Sequence, residues 1–268
     1  LDTAPLRAPA RAADWLARLA APPVAILRLA AAYPPGTLWL TEGRGFDVME
    51  YHLQVVREYA ALGTTAPLHH NVYSFFPANV EMLYLLLQQL AELGMHSTDY
   101  LFALYPAQFL HAGFMLLTAA ALALVPLRLS TAARWLAATL FLATPWTIVC
   151  GSEAYNEGGM LFFAAVALGL ALGPCRRGVP IAIGVLLGLA VGCKLTAGPF
   201  LAVPIGLLFL LRQVNPARVP CLTEQGPGGG RQACSTALAP GKLITSARPL
   251  RNLLIVTAVA LLTFAPWA

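Results

Sequence analysis

"LFALYPAQFLHAGFMLLTAAALALVP", residues 101–126, contains no charged residue. At a rise of ~1.5 Å per residue, such a run exceeds the roughly 20 residues needed to cross a hydrocarbon core about 30 Å thick. It therefore predicts a membrane-spanning helix. Similar apolar runs follow at 134–150, 159–174, 179–193, 196–211 and 252–268, several of them shorter than that length. The whole chain agrees: 58% of its 268 residues are hydrophobic, 11% are charged, and the mean hydropathy is +0.69. Soluble domains carry about 25% charged residues. The fold class predicted is all-α, a polytopic transmembrane helix bundle.

The charges occupy the joints. Arg128 and Arg134 flank one loop, Glu153 and Glu157 the next, then Arg176 and Arg177, then Lys194. Segment 212–251 carries Arg212, Arg218, Arg231, Lys242, Arg248 and Arg251 against the acid Glu224. Basic loops stay cytoplasmic, so the alternation puts Glu153, Glu157 and Lys194 outside. The net charge of +5 is scattered over segment ends, which gives no sign of nucleic-acid binding. Cys150, Cys175, Cys193, Cys221 and Cys234 are widely spaced and lack a metal or disulfide signature.

Upstream of 101 the sequence divides into a basic lead with a weak first span, 1–40, and a polar external region, 41–100. Downstream come the bundle at 101–211, a glycine-rich flexible cytoplasmic loop at 212–251, and a last span at 252–268. The chain opens on Leu1 without a recognisable signal peptide and closes inside an apolar run, so both ends read as those of a fragment.

Residues 45–63, "GFDVMEYHLQVVREYAALG", form the most polar stretch. On a helical wheel Met49, Leu53, Val56 and Ala60 share one side, and Asp47, Glu50, Gln54 and Arg57/Glu58 the other. That spacing predicts an amphipathic surface helix in the first external loop, with Asp47 as its N-cap. In one reading its charges are merely solvated. In the other, Asp47 or Glu50 stands at the mouth of a cavity, to deprotonate a hydroxyl or to hold a divalent cation on a phosphate. His52 lies one turn from Asp47 and adds a donor or ligand. Residues 79–94 repeat Glu81, Gln88, Gln89 and Glu92 along one helix face, which predicts a helix lying at the interface.

The run from Gly45 through "YHL" (51–53), Gly63, "NVYS" (71–74), Pro77 and "MLY" (82–84) resembles the first external loop of bacterial polytopic glycosyltransferases of the GT-C superfamily. That group includes protein O-mannosyltransferase-like and aminoarabinose-transferase-like enzymes. The likeness is specific over 42–90 and looser over 100–211, including "GLAVGCKLTAGP" around Lys194. It implies a multi-pass enzyme of the bacterial inner membrane. Such an enzyme moves a sugar from a polyprenyl-phosphate donor to an acceptor glycan, lipid or protein hydroxyl at the outer face. The family's early loop aspartate maps to Asp47, as catalytic base or metal-facing carboxylate, with magnesium or manganese as the implied cation. Asp47 is followed by Val48 where some relatives carry a second acid, and Glu50 is the candidate for that place.

Around these carboxylates the expected substrate contacts are Arg44, His52, His70, Asn71, Tyr73, Glu153, Asn156 and Lys194. Arg44 or Lys194 would neutralise the donor phosphate, and Glu153 with Asn156 would form a second wall of the sugar pocket. The blander readings are a hydrogen-bonded loop at His69–His70, a solvated turn at 153–157 and a snorkelling Lys194. Gly184, Gly188 and Gly192, and the pair Gly169/Gly173, have the spacing that lets helices pack closely. The alternative class is a non-catalytic transporter, flippase-like or assembly protein. It would bury charges at mid-span and show repeated halves. The enzyme reading instead requires Asp47, the 151–158 loop and Lys194 to converge on one cavity.

Overall fold

The computed structural model describes residues 7–36, 46–95, 100–124, 130–214 and 247–267. Ten α-helices account for most of them, and no strand occurs among the described residues. The glycine-rich segment 215–246, Arg44, Arg128, Cys221 and Cys234 lie outside them.

Helix α1, Arg7–Gly36, is one helix through both the basic lead and the weak span. It packs on α5 (Thr131–Ala143), α4 (Tyr100–Leu124) and α6 (Pro145–Ser152). The run read as one span at 134–150 is broken by a 62° bend between α5 and α6. Pro145 causes it. A residue before proline is driven out of the helical region, and Thr144 is extended, with φ −61° and ψ 124°. At the break the Phe141 carbonyl accepts from the Thr144 amide (3.4 Å) and from the Thr147 hydroxyl (2.5 Å).

α7 (Glu157–Leu172) and α8 (Val179–Cys193) form the centre. α7 packs on α4 and α8, and α8 packs on α10 (Arg248–Phe264). The glycine ladder on α8 explains that last contact. A Cβ at Gly184 would lie 2.7 Å from the Val256 carbonyl, and one at Gly188 2.6 Å from that of Ala260. One at Gly192 would overlap the Asn79 side chain. Asn79, at the start of α3 (Asn79–Met95), donates to the Leu189 carbonyl (3.0 Å) and accepts from the Trp267 indole (2.8 Å). These bonds tie the chain's last described turn to the start of α3 and to α8. α9 (Val203–Val214) completes this side, and its Arg212 donates to the carbonyls of Ala171 and Gly173 at the end of α7.

Among the described residues two helical stretches, Pro106–Leu124 and Arg248–Trp267, are long and apolar enough to cross a membrane. The bent α5–α6 pair makes a third if it is counted as one span, and the apolar helices at 157–172, 179–193 and 198–214 are shorter. Large apolar side chains such as Leu117, Leu140, Leu207, Leu254 and Leu262 face outward. These features are compatible with membrane association.

Two expectations for the region read from sequence as external are revised. Asp47 holds the N-cap position of the π turn Val48–His52 as expected, but its own backbone is helical (φ −60°, ψ −40°) and its side chain makes no capping bond. The helix also opens with a π turn, Val48–His52, before α2, Leu53–Leu62. The buried side is Val48, His52, Val55, Val56 and Tyr59, with Leu53, an i, i+4, i+7, i+8, i+11 set adjacent to the side the wheel selected, while Met49 is exposed. On α3 the polar stripe is turned partly inward. Glu81 and Gln88 are buried, whereas Leu83, Leu86, Leu90 and Leu93 are exposed.

Candidate functional site

The residues that meet at one end of α7 and α8 come from four places in the sequence. The first is the π turn. It buries His52 completely and leaves Tyr51 half-buried beside it. Their rings stand 4.1 Å apart.

The second is the loop between α2 and α3. Gly63 ends α2 in the left-handed region (φ 64°), which glycine adopts without penalty. Ser74 then locks the loop, since its hydroxyl oxygen accepts from the Leu68 amide at 2.7 Å. Asn71 caps the short turn Val72–Phe75 by accepting from the Tyr73 amide (3.1 Å), and donates to the Glu50 carbonyl (3.3 Å). The outcome is a stacked pair: Tyr73 lies on Tyr51 with centroids 4.1 Å apart and planes 16° from parallel. Phe76 meets Tyr73 edge-on at 5.9 Å.

The third is Glu81 on α3. Its Oε1 lies 2.6 Å from His52 Nδ1 and accepts from Asn156 Nδ2 at 3.1 Å. The fourth is the 156–157 corner with the end of α8. Asn156 Nδ2 also donates to the Cys193 carbonyl (2.9 Å), and the Lys194 ammonium donates to Glu157. Gly158 and Gly159 permit this corner. A Cβ at Gly158 would sit 2.9 Å from the His111 ring, and one at Gly159 2.6 Å from Val80. The Gly158 amide donates instead to His111 Nε2 at 2.8 Å.

Together these elements enclose a cavity of about 270 Å³. The aromatic wall is Tyr51, Tyr73 and Phe76, and the polar wall is Glu81, Asn156 and Lys194. Two atoms of that polar wall, Glu81 Oε2 and Asn156 Oδ1, are buried without a hydrogen-bond partner among the described residues. Burial holds the Tyr51 phenol well above its ordinary value, reinforced by the negative charges of Asp47, Glu157 and Glu81. Tyr51 is thus a neutral hydrogen-bonding group.

Of the residues expected from sequence, Tyr73, Asn156 and Lys194 line this cavity. His52 supports it from behind through Glu81. Asp47 is half-buried near Tyr51 but does not line the cavity, and the Glu50 side chain is exposed. His70 pairs with Glu58 at 2.8 Å, Asn71 shapes the loop, and Glu153 is completely buried away from the lining. Arg44 lies outside the described residues. No group of three or more His, Cys, Asp or Glu suited to a metal ion occurs among the described residues. The residues that sequence reasoning passed over are Glu81, read as part of an interfacial stripe, and Tyr51, read as a motif position. The signal for Glu81 was an acid next to Val80 and one helical turn from Tyr84 rather than among other charges.

No family model matches the chain, and neither a curated protein nor a solved structure matches it.

Proposed function

We propose that this chain is a multi-pass glycosyltransferase of the bacterial inner membrane. It takes a sugar from a polyprenyl-phosphate donor and passes it to an acceptor hydroxyl of a glycan, lipid or protein at the outer face. The observation that carries the reading is a single cavity in which an aromatic wall faces a carboxylate, an amide and a lysine, in a molecule whose outer surface is apolar. Aromatic rings suit the C–H face of a sugar, and carboxylates and amides suit its hydroxyls. At about 270 Å³ the space is near the lower end of small-molecule sites, which suits one sugar residue. Lys194, at the end of α8, is the cation for the donor phosphate, where negative charge grows as the glycosidic bond to phosphate breaks. Asp47, half-buried near Tyr51 but off the cavity lining, is the proposed base for an acceptor hydroxyl approaching from that side, and a magnesium or manganese ion carried on the donor phosphate would face it.

The polarity of the helix ends supports the orientation. Glu157 and Lys194 pair at one end of α7–α8, and Arg212 binds the opposite end of α7. With Arg176 and Arg177 between α7 and α8 on the cytoplasmic side, the cavity opens outward.

The test is sugar transfer by the full chain in lipid nanodiscs, from labelled polyprenyl-phosphate sugars to a panel of acceptors, with and without EDTA. Asp47→Asn is expected to lower turnover by about 10²-fold or more, in the range of a lost general base. Unchanged turnover in Asp47→Asn would remove Asp47 from the mechanism. Absence of transfer from every donor in the parent chain would remove the enzyme reading.

A further inference from the structure

The geometry points to Glu81, held in place by His52, as the group that binds the hydroxyls of the sugar within this cavity. The inference rests on the glycosyltransferase reading and goes beyond it, since that reading assigns Glu81 no role.

The argument is a count of donors and acceptors at the polar wall. His52 directs Nδ1 at Glu81 Oε1, 2.6 Å away. Asn156 uses both hydrogens of its amide nitrogen, one on Glu81 Oε1 (3.1 Å) and one on the Cys193 carbonyl (2.9 Å). The Lys194 ammonium is engaged with Glu157. The donors of Asn156 and the near nitrogen of His52 are thus used. What remains open is acceptor capacity, at Glu81 Oε2 and Asn156 Oδ1, on two residues that line the cavity. Glu81 is 5% exposed and Asn156 6%. Buried polar atoms nearly always have partners, and leaving one without costs free energy. Acceptors left without partners on the Glu81–Asn156 wall suit a ligand rich in O–H groups, while the Lys194 ammonium gives one of its three N–H groups to Glu157 and has two more for an anion.

The same count sets the direction in which a donor lies. A phosphate brought to Glu81 would meet like charge, whereas Lys194 at the end of α8 offers the opposite sign. The sugar therefore faces Glu81 and Asn156 with its ring against Tyr51 and Tyr73, and the phosphate lies toward Lys194. His52 is a positioning residue. It is completely buried, does not line the cavity, and acts through Glu81.

The experiment measures binding by titration calorimetry with the full chain in nanodiscs. The probes are farnesyl phosphate, farnesyl-phosphoryl hexoses and pentoses, and farnesyl glycosides without phosphate. Glu81→Gln keeps the size of the side chain and removes its charge. It is expected to weaken the sugar-bearing ligands tenfold or more and to leave farnesyl phosphate within twofold. His52→Asn keeps a donor near the Nδ1 position and is expected to preserve that discrimination, whereas His52→Phe is expected to lose it. Equal affinity of Glu81→Gln and parent for all ligands would overturn the assignment while leaving the donor reading intact. An equal loss for farnesyl phosphate and its sugar esters would also overturn it, because general damage does not discriminate. Glu81-dependent binding of farnesyl glycosides without binding of farnesyl phosphate would uphold the assignment and reject the phosphate-linked donor. Binding of no probe would reject both.

Discussion

Glu81 and His52 are 29 positions apart in the chain, and their side chains meet at 2.6 Å in a buried contact between α3 and the π turn that precedes α2. This contact joins α3 to the π turn and holds the Glu81 carboxylate at the wall of the cavity. It also makes a stability prediction. Replacing His52 by Leu leaves Glu81 buried with one partner fewer, which costs about 1–3 kcal/mol. The double variant His52→Leu/Glu81→Leu removes both ends and is expected to recover part of that loss. Denaturant unfolding of the detergent-purified proteins checks this, and additive losses in the cycle would mean that the two groups do not interact.

The α8–α10 contact depends on absent side chains. Gly188→Ala puts a methyl group 2.6 Å from the Ala260 carbonyl, and backbone cannot move aside as a flexible side chain does. The expected cost is about 1–3 kcal/mol, the usual range for overpacking. Gly94→Ala, inside α3 with nothing within 4 Å, is the control. It is expected to be neutral or to stabilise by about 0.5–1 kcal/mol through helix propensity. Equal thermal midpoints for the two variants would contradict the close approach.

Lys194 separates stability from function. Its partner Glu157 and Lys194 itself keep 24% and 37% of their side-chain surfaces, so solvent screens the pair and its loss is expected to cost under about 1 kcal/mol. If Lys194 neutralises the donor phosphate, Lys194→Met is expected to lower kcat/KM for transfer by about 10²-fold with the unfolding midpoint nearly unchanged. A large stability loss with unaltered transfer would instead assign the lysine to the scaffold.

Tyr51 gives a pH dependence with a definite sign. Burial, then the charges of Asp47, Glu157 and Glu81, raise its folded-state value above the ordinary 10.0. The folded form therefore holds this proton more tightly than the unfolded chain. Stability is unaffected below about pH 10 and declines above it, where only the unfolded chain ionises. Tyr51→Phe is expected to flatten that alkaline decline, as read from unfolding midpoints between pH 9 and about 11.

Orientation is open to direct chemistry. Cys175 is an exposed free thiol beside Arg176 and Arg177, and Thr196 is exposed beside Lys194. In a background lacking the other cysteines, an impermeant maleimide added to intact cells is expected to label Thr196→Cys and to spare Cys175 until the membrane is permeabilised. Labelling of both from outside would break the proposed alternation.

Sequence alone determined the broad architecture. Apolar runs longer than a few turns without charge have no arrangement in water but burial, so 101–126 reads directly as helix, and the glycine spacing at 184, 188 and 192 reads as helix packing. Asn156 and Lys194 were legible as site candidates because they are polar residues at the ends of apolar runs. Tertiary structure decided the rest. His52 faces inward with Val48, Val55 and Tyr59 on one regular helical face, and a wheel alone does not tell which of its faces the neighbouring elements will cover. On α3 the leucines face out and Glu81 faces in. A polar stripe alone cannot tell which side meets water and which meets a protein interior, since both sides of such a helix are satisfied only by what packs against them.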